Sequence, residues 1–293
     1  MIAKTGEELL EICNKYNISL GEYALRFEIE EKGLTREEVV EKMRKNLKVM
    51  ISAANEGMEK EVYSVSGLIG GDAFKIHNYI KKGGALTGDV TNMAMAMALS
   101  SSEVNASMGK IVACPTAGSC GILPAVILSA GNKLGLDEDG LINGLFAATS
   151  VGMIIALNAT LAGAEGGCQA ECGSASAMGA AAVVEMMGGT PEMSLNAAAI
   201  VIKNVLGLVC DPVAGLVEIP CAKRNAQGAI TALCMADMVM AGVASKIPFD
   251  DTVSAMYKVG KSLPESLRET ALGGIAITKE GLKLKEQVFG KEK

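Results

Sequence analysis

Residues 140 to 164, GLINGLFAATSVGMIIALNATLAGA, are twenty-five consecutive positions without a charged side chain. A helix of that length can cross a bilayer, so the run must either enter lipid or be covered on all sides by protein. Asn143, Thr149, Asn158 and Thr160 interrupt it, Phe146 is its only aromatic residue, and neither an aromatic belt nor a Lys/Arg asymmetry flanks it. The sequence therefore predicts a central helix enclosed by other helices, with no membrane partner.

The distribution of charge supports a core with a wrapping. Residues 1 to 61 carry 23 charged side chains, residues 62 to 245 carry 21 and residues 246 to 293 carry 16. The chain divides accordingly into a charged N-terminal helical wrapping, a central catalytic core and C-terminal surface helices, all within one structural domain. Trp is absent and aromatics make up 3%, against 34 Gly and 17 Met, a composition suited to closely packed helices with small contacts. The predicted fold is mainly α, a compact multi-helix domain with buried central helices and Gly/Pro-rich active-site loops.

A net charge of −6 without clustered Lys and Arg argues against nucleic acid. Glu7, Glu8 and Glu11 stand where a secretion signal would need an apolar core, which predicts a cytoplasmic, reducing location. Eight cysteines there read as buried thiols, metal ligands or catalytic groups rather than disulfides.

Along the chain, Thr5 with Glu8 and Thr35 with Glu38 are capping-box patterns. The second opens an amphipathic helix to about Gly57, and Cys13 falls on the apolar stripe of the first. Residues 64 to 71, SVSGLIGG, and then GGALTGDV break the helical pattern, and TNMAMAMALSSSEVNASMGK reads as a buried helix. His77, the sole histidine, is read as readily as an ordinary partly buried residue as a general base. Thr190 followed by Pro191 predicts a helix start, running to about Leu206. Cys234 lies within a clean helical run and is read as core, and the tail from about Ile247 as surface closure.

Two stretches can carry chemistry. PTAGSCG, residues 115 to 121, is a loop feeding a helix near Pro124, and free amides at such a junction favour an anion such as a carboxylate. Thr116, Gly118 and Ser119 are its candidate binding residues, although a purely structural turn fits the same pattern, and neither a Walker loop nor a dinucleotide fingerprint is present. In GAEGGCQAECGSASAMGAA, residues 163 to 181, Cys168 and Cys172 sit where large side chains are missing. Cys210 precedes Asp211-Pro212 and Cys221 follows Pro220, both on segments read as irregular. Three cysteines so placed would suit a 4Fe-4S cluster with one open iron. Cys114, Cys120 and Cys172 also lie near glycine or proline, so the residues alone leave the choice of three open.

Together, NASMGKIVACPTAGSCGILPAV, GAEGGCQAECGSASAMGAA and GLVCDPVAGLVEIPCAKRN resemble the α subunit of the iron–sulfur-dependent L-serine dehydratases, or L-serine ammonia-lyases, in order over essentially the whole chain. The resemblance implies a 4Fe-4S cluster on Cys168, Cys210 and Cys221, with Cys114 and Cys172 as non-ligands. It also implies L-serine as substrate and a β subunit that carries histidines and a serine-rich substrate loop. Relatives with a cysteine at the C-terminus can ligate the free iron with it, whereas this chain has none after Cys234.

The expected reaction is removal of the α-proton and loss of hydroxide, assisted by an open iron acting as a Lewis acid, giving aminoacrylate, which water then hydrolyses to pyruvate and ammonia. Lys223, Arg224 and Asn225 follow Cys221 closely enough to reach the same pocket, with Lys223 and Asn225 as catalytic candidates; a surface-facing basic pair is the competing reading. The alternatives are a related β-eliminating lyase acting on cysteine or threonine, a pyridoxal phosphate enzyme, and a non-enzymatic helical membrane or scaffold protein.

Overall fold

The computed structural model describes residues 2 to 290. Thirteen α-helices occur among them, and no strand longer than an isolated bridge. They are α1 (Gly6–Tyr16), α2 (Leu20–Lys32), α3 (Arg36–Glu59), α4 (Asp72–Lys81), α5 (Gly88–Ala106), α6 (Ile122–Leu134) and α7 (Glu138–Asn158). After these come the single turn α8 (Gly163–Gly166), α9 (Ser174–Met186), α10 (Pro191–Asn204), α11 (Cys221–Met240), α12 (Phe249–Ser262) and α13 (Lys279–Phe289). The mainly α expectation holds.

The centre is α9, SASAMGAAAVVEM, which packs against α6, α7, α10 and α11 and is buried from Ser174 to Val184. Its small side chains let the neighbours approach: a Cβ at Gly179 would lie 3.2 Å from Val126 on α6. Such contacts favour dense packing over large apolar payload, which explains how a core forms with so few aromatics. The uncharged run is α7, packed on α2 and α9, and Asp137 rather than Gly140 opens it by accepting the Gly140 amide. By length and composition α7 could cross a membrane, but most of it is buried inside the molecule.

Thr35 forms the full capping box with Glu38, and Thr190 caps α10 with Pro191 at the first turn. Thr5 accepts the Glu8 amide, but the Glu8 carboxylate reaches back to the Lys4 amide, so the box is incomplete.

Three helix starts are also capped from a distance. The Asp250 carboxylate accepts the amides of Gly6 and Glu7 on α1, Glu185 accepts those of Leu20 and Gly21 on α2, and Glu103 accepts those of Asp72 and Ala73 on α4. Each satisfies donors that the helix leaves free, and Asp250 and Glu185 also place a carboxylate at the positive end of a helix dipole.

Two expectations need correction. Cys234 lies on α11 as read, but it is exposed, since Ala232, Ala236 and Val239 form the inward face. The tail is more than a cover, because residues 265 to 275 hydrogen-bond to the segment around Cys210.

Candidate functional site

Cys168 follows Gly167, whose φ of +76° and contact distance of 2.8 Å from a would-be Cβ to the Leu208 carbonyl exclude a larger residue. Cys168 leads into a π-helical turn, Gln169–Gly173, before α9 begins. Such turns shift side chains out of the α-helical register and occur often at functional sites. Gln169, fully buried, anchors the turn by donating to the Met256 carbonyl of α12 and accepting the Gly207 amide.

Cys210 sits in an extended segment clamped by the tail: its amide donates to the Leu267 carbonyl, and its carbonyl accepts the Glu269 amide at 2.7 Å. Glu269 meets it with a φ of +65°, in the left-handed region. Cys221, expected on irregular backbone, is the first residue of α11. Its carbonyl accepts from the Asn225 side chain one turn later.

The sulfurs of Cys168 and Cys210 and a carboxylate oxygen of Glu171 lie within 4.8 Å of one another, all buried. The group is therefore able to hold a metal. The Cys168 sulfur is held far below the ordinary thiol range, first by the Cys172 thiol, then by that of Cys210, with Arg224 adding its positive charge. Cys172 and Cys210 are correspondingly raised and keep their protons. Cys221 is pushed up to about 12 by burial and by the negative charge of Cys168 and Glu171. Cys114 and Cys120 stand apart, with the Cys114 thiol donating to the carbonyls of Val112 and Cys120.

Arg224 crosses this site. Burial opposes its charge, but Cys168 and Asp211 more than compensate, and it donates to the Val209 carbonyl at 2.8 Å and to Asp211 at 2.9 Å.

The 116–119 loop joins the cysteines through Glu171. Thr116 Oγ1 donates to Glu171 Oε1 at 2.8 Å, Ser119 is fully buried against Thr116, and a Cβ at Gly118 would lie 3.1 Å from Glu171 Oε1. Among the described residues, the amides of Ala117 and Gly118 find no protein acceptor. Asn225 holds the loop to α11: its Oδ1 accepts the Gly121 amide and its Nδ2 donates to the Gly118 carbonyl, each at 2.8 Å. Lys223 is not brought to this group; its ammonium pairs with Asp72 at the start of α4. His77 is pinned on α4 by a 2.8 Å hydrogen bond between Nδ1 and the Met58 carbonyl.

Glu171 is the residue that sequence reasoning missed. It was visible as the one carboxylate between Cys168 and Cys172 and α9, in a run otherwise of Gly, Ala, Ser, Cys and Gln. Burial pushes its carboxyl up to about 7, against the hydrogen bond from Thr116.

Residues 15 to 276 match the family described as serine dehydratase alpha chain. The chain is 49% identical to the L-serine dehydratase alpha chain of Peptoniphilus asaccharolyticus, covering 96% of each protein. It is 48% identical to a protein of Bacillus subtilis named as a probable L-serine dehydratase alpha chain, over 97% of this chain and 94% of that one. A longer relative, the L-serine dehydratase of Streptomyces coelicolor, is 37% identical over 94% of this chain but only 60% of its own length. A match of that length, which takes in the 116–119 loop, the π-turn and all of α11, shows that the chain belongs to the serine dehydratase alpha chain family.

Proposed function

We propose that this chain is the cluster-bearing α chain of an L-serine dehydratase, which converts L-serine to pyruvate and ammonia. The observation that carries the reading is the buried group of Cys168, Cys210 and Glu171, joined through Thr116 to a loop with free amides.

The donor set fits a 4Fe-4S cluster. Four thiols, Cys168, Cys172, Cys210 and Cys221, are buried around one sulfur of depressed pKa, and iron–sulfur clusters are held by thiolates. Small residues keep the surroundings clear: a Cβ at Gly163 would collide with the Glu171 carboxylate and lie 3.2 Å from the Cys210 sulfur. Cys168, Cys210 and Cys221 would hold the cluster, with Cys172 as a neighbour. Bound there, the cluster supplies a Lewis acid for the departing hydroxide.

The protein's part is orientation. The free amides of Ala117 and Gly118, with Thr116 and Ser119, receive the substrate carboxylate. Asn225 fixes the loop in register with Cys221, and Arg224 neutralises the thiolate charge. Lys223, tied to Asp72, contributes to the α4 surface.

The α-proton needs a base from elsewhere, since the only histidine is held on α4. A β chain is the proposed source, consistent with the longer Streptomyces coelicolor relative, of which this chain covers 60%. Anaerobic purification with and without that partner, followed by iron and sulfide analysis and EPR of wild type and of Cys168→Ala, Cys210→Ala and Cys221→Ala, tests the reading. A cluster that survives all three substitutions refutes the ligand set, and full serine turnover by the lone chain refutes the need for a partner.

A further inference from the structure

We infer that Glu171 accepts the α-ammonium of the substrate and so selects 2-amino-3-hydroxy acids over hydroxy acids that lack the amine. The inference deepens the serine dehydratase reading and rests on it.

An α-amino acid carries its ammonium on the carbon next to its carboxylate. A site that holds the carboxylate on the 116–119 loop must therefore present an acceptor for the ammonium within reach of the same loop. Glu171 is placed there: its Oε1 lies 2.8 Å from Thr116 Oγ1 and 3.1 Å from where a Gly118 Cβ would stand. Neighbouring carboxylates are committed or exposed. Asp211 is bound to Arg224 and the Ile275 amide, Glu218 accepts from Ser66, and Glu269 is exposed at the rim.

Glu171 also lacks what a buried carboxylate ordinarily has. It is 9% exposed, its hydrogen bonds come from the Thr116 hydroxyl and, at 4.0 Å, the Cys210 thiol, and among the described residues no Lys or Arg pairs with it. An anion buried without a countercharge is costly, and a cationic ligand removes that cost. The nearby guanidinium of Arg224 is engaged with Asp211 and the Val209 carbonyl, so the substrate is the available cation. Glycines at 118 and 163 keep methyl groups off both carboxylate oxygens.

The test uses the anaerobically reconstituted two-chain enzyme as wild type, Glu171→Gln and Glu171→Asp. Iron and sulfide content, the EPR spectrum with and without ligand, kcat and KM for L-serine, and the inhibition constant of 3-hydroxypropionate, which is serine without its amine, are measured. For Glu171→Gln, metal content stays at the wild-type level, KM for L-serine rises about 30-fold, or about 2 kcal/mol at 1.4 kcal/mol per decade, and the 3-hydroxypropionate constant changes less than about threefold. Glu171→Asp keeps the charge and recovers part of the KM; should the glutamine variant not fold, the same split between serine and 3-hydroxypropionate in the aspartate variant carries the test.

Equal weakening of both ligands, or none of either, overturns the inference. So does loss of iron, which makes Glu171 a cluster ligand. A wild-type enzyme that neither binds iron nor turns over serine fails at the functional reading itself, and the inference falls with it.

Discussion

Arg224 and Asp211 form an ion pair at 2.9 Å with side chains only 14% and 3% exposed, between the first turn of α11 and the segment that carries Cys210. The second Asp211 oxygen accepts the Ile275 amide at 2.8 Å, so one carboxylate binds two cysteine-bearing elements and the tail. Removing Asp211 leaves the buried Arg224 charge with Cys168 as its remaining negative partner, which places the loss at the low end of the about 3–5 kcal/mol that breaking a buried pair costs. Asp211→Ala is expected to lose that much stability in denaturant titration, and hydrogen exchange should show faster opening of residues 265 to 275.

Asn225→Ala removes the acceptor of the buried Gly121 amide together with the donors to Gly118 and Cys221. A buried amide left unsatisfied costs about 1–3 kcal/mol. Thermal unfolding should fall accordingly, and KM for L-serine should rise more than iron content falls, because the 116–119 loop loses its register before the cysteines do.

Glu103 gives a pH dependence that can be isolated. Burial raises its carboxyl from 4.5 to about 7, and among the described residues its Oε2 has no hydrogen-bond partner. The folded state then binds more protons than the unfolded one between these values, so the contribution of Glu103 to stability falls as pH rises from about 4.5 to about 7 and is flat beyond. Glu103→Gln keeps an acceptor for the α4 amides and removes the slope. Relative to wild type it should match at pH 4 and be more stable at pH 8 by on the order of 3 kcal/mol, read from urea midpoints.

Gly260 on α12 lies so close to the turn before Cys168 that a Cβ there would stand 2.8 Å from the Gly166 Cα and 3.0 Å from Gln169 Nε2. The Gly166 contact is backbone and cannot rotate away. Gly260→Ala should cost about 1–3 kcal/mol in thermal melts, as overpacking does, and lower the iron content after anaerobic reconstitution.

Cys234 is the single exposed cysteine, and the other seven are buried. Native thiol titration should show one fast-reacting group, and Cys234→Ser should abolish that phase while leaving serine turnover unchanged.

Local signals were readable where the partner lies within a few residues. Thr35 with Glu38, Thr190 with Pro191 and the enclosed α7 follow from spacing and composition. What escaped depends on contacts between distant positions. Glu171 acquires meaning only when Thr116, fifty-five residues earlier, donates to it, and the clamp on Cys210 comes from Leu267 and Glu269. The face of Cys234 escaped for another reason: ITALCMADMVM is apolar nearly all round, so its periodicity carries no phase, and the small Ala232 and Ala236 rather than the larger Met238 mark the inward side. Arg224 stood beside Lys223 as one basic pair, and only the positions of Asp211 and Asp72 separate their roles.

The remote carboxylate caps set an order of assembly during synthesis. α1 and α2 leave the ribosome before α9 and α12, and Asp250 and Glu185, which complete their N-termini, are made 244 and 165 residues after Gly6 and Leu20. Until then these helices have only Thr5 and Ser19 as caps, and isolated helices of 11 and 13 residues are marginal in water. α1 and α2 are thus made well before the residues that secure them.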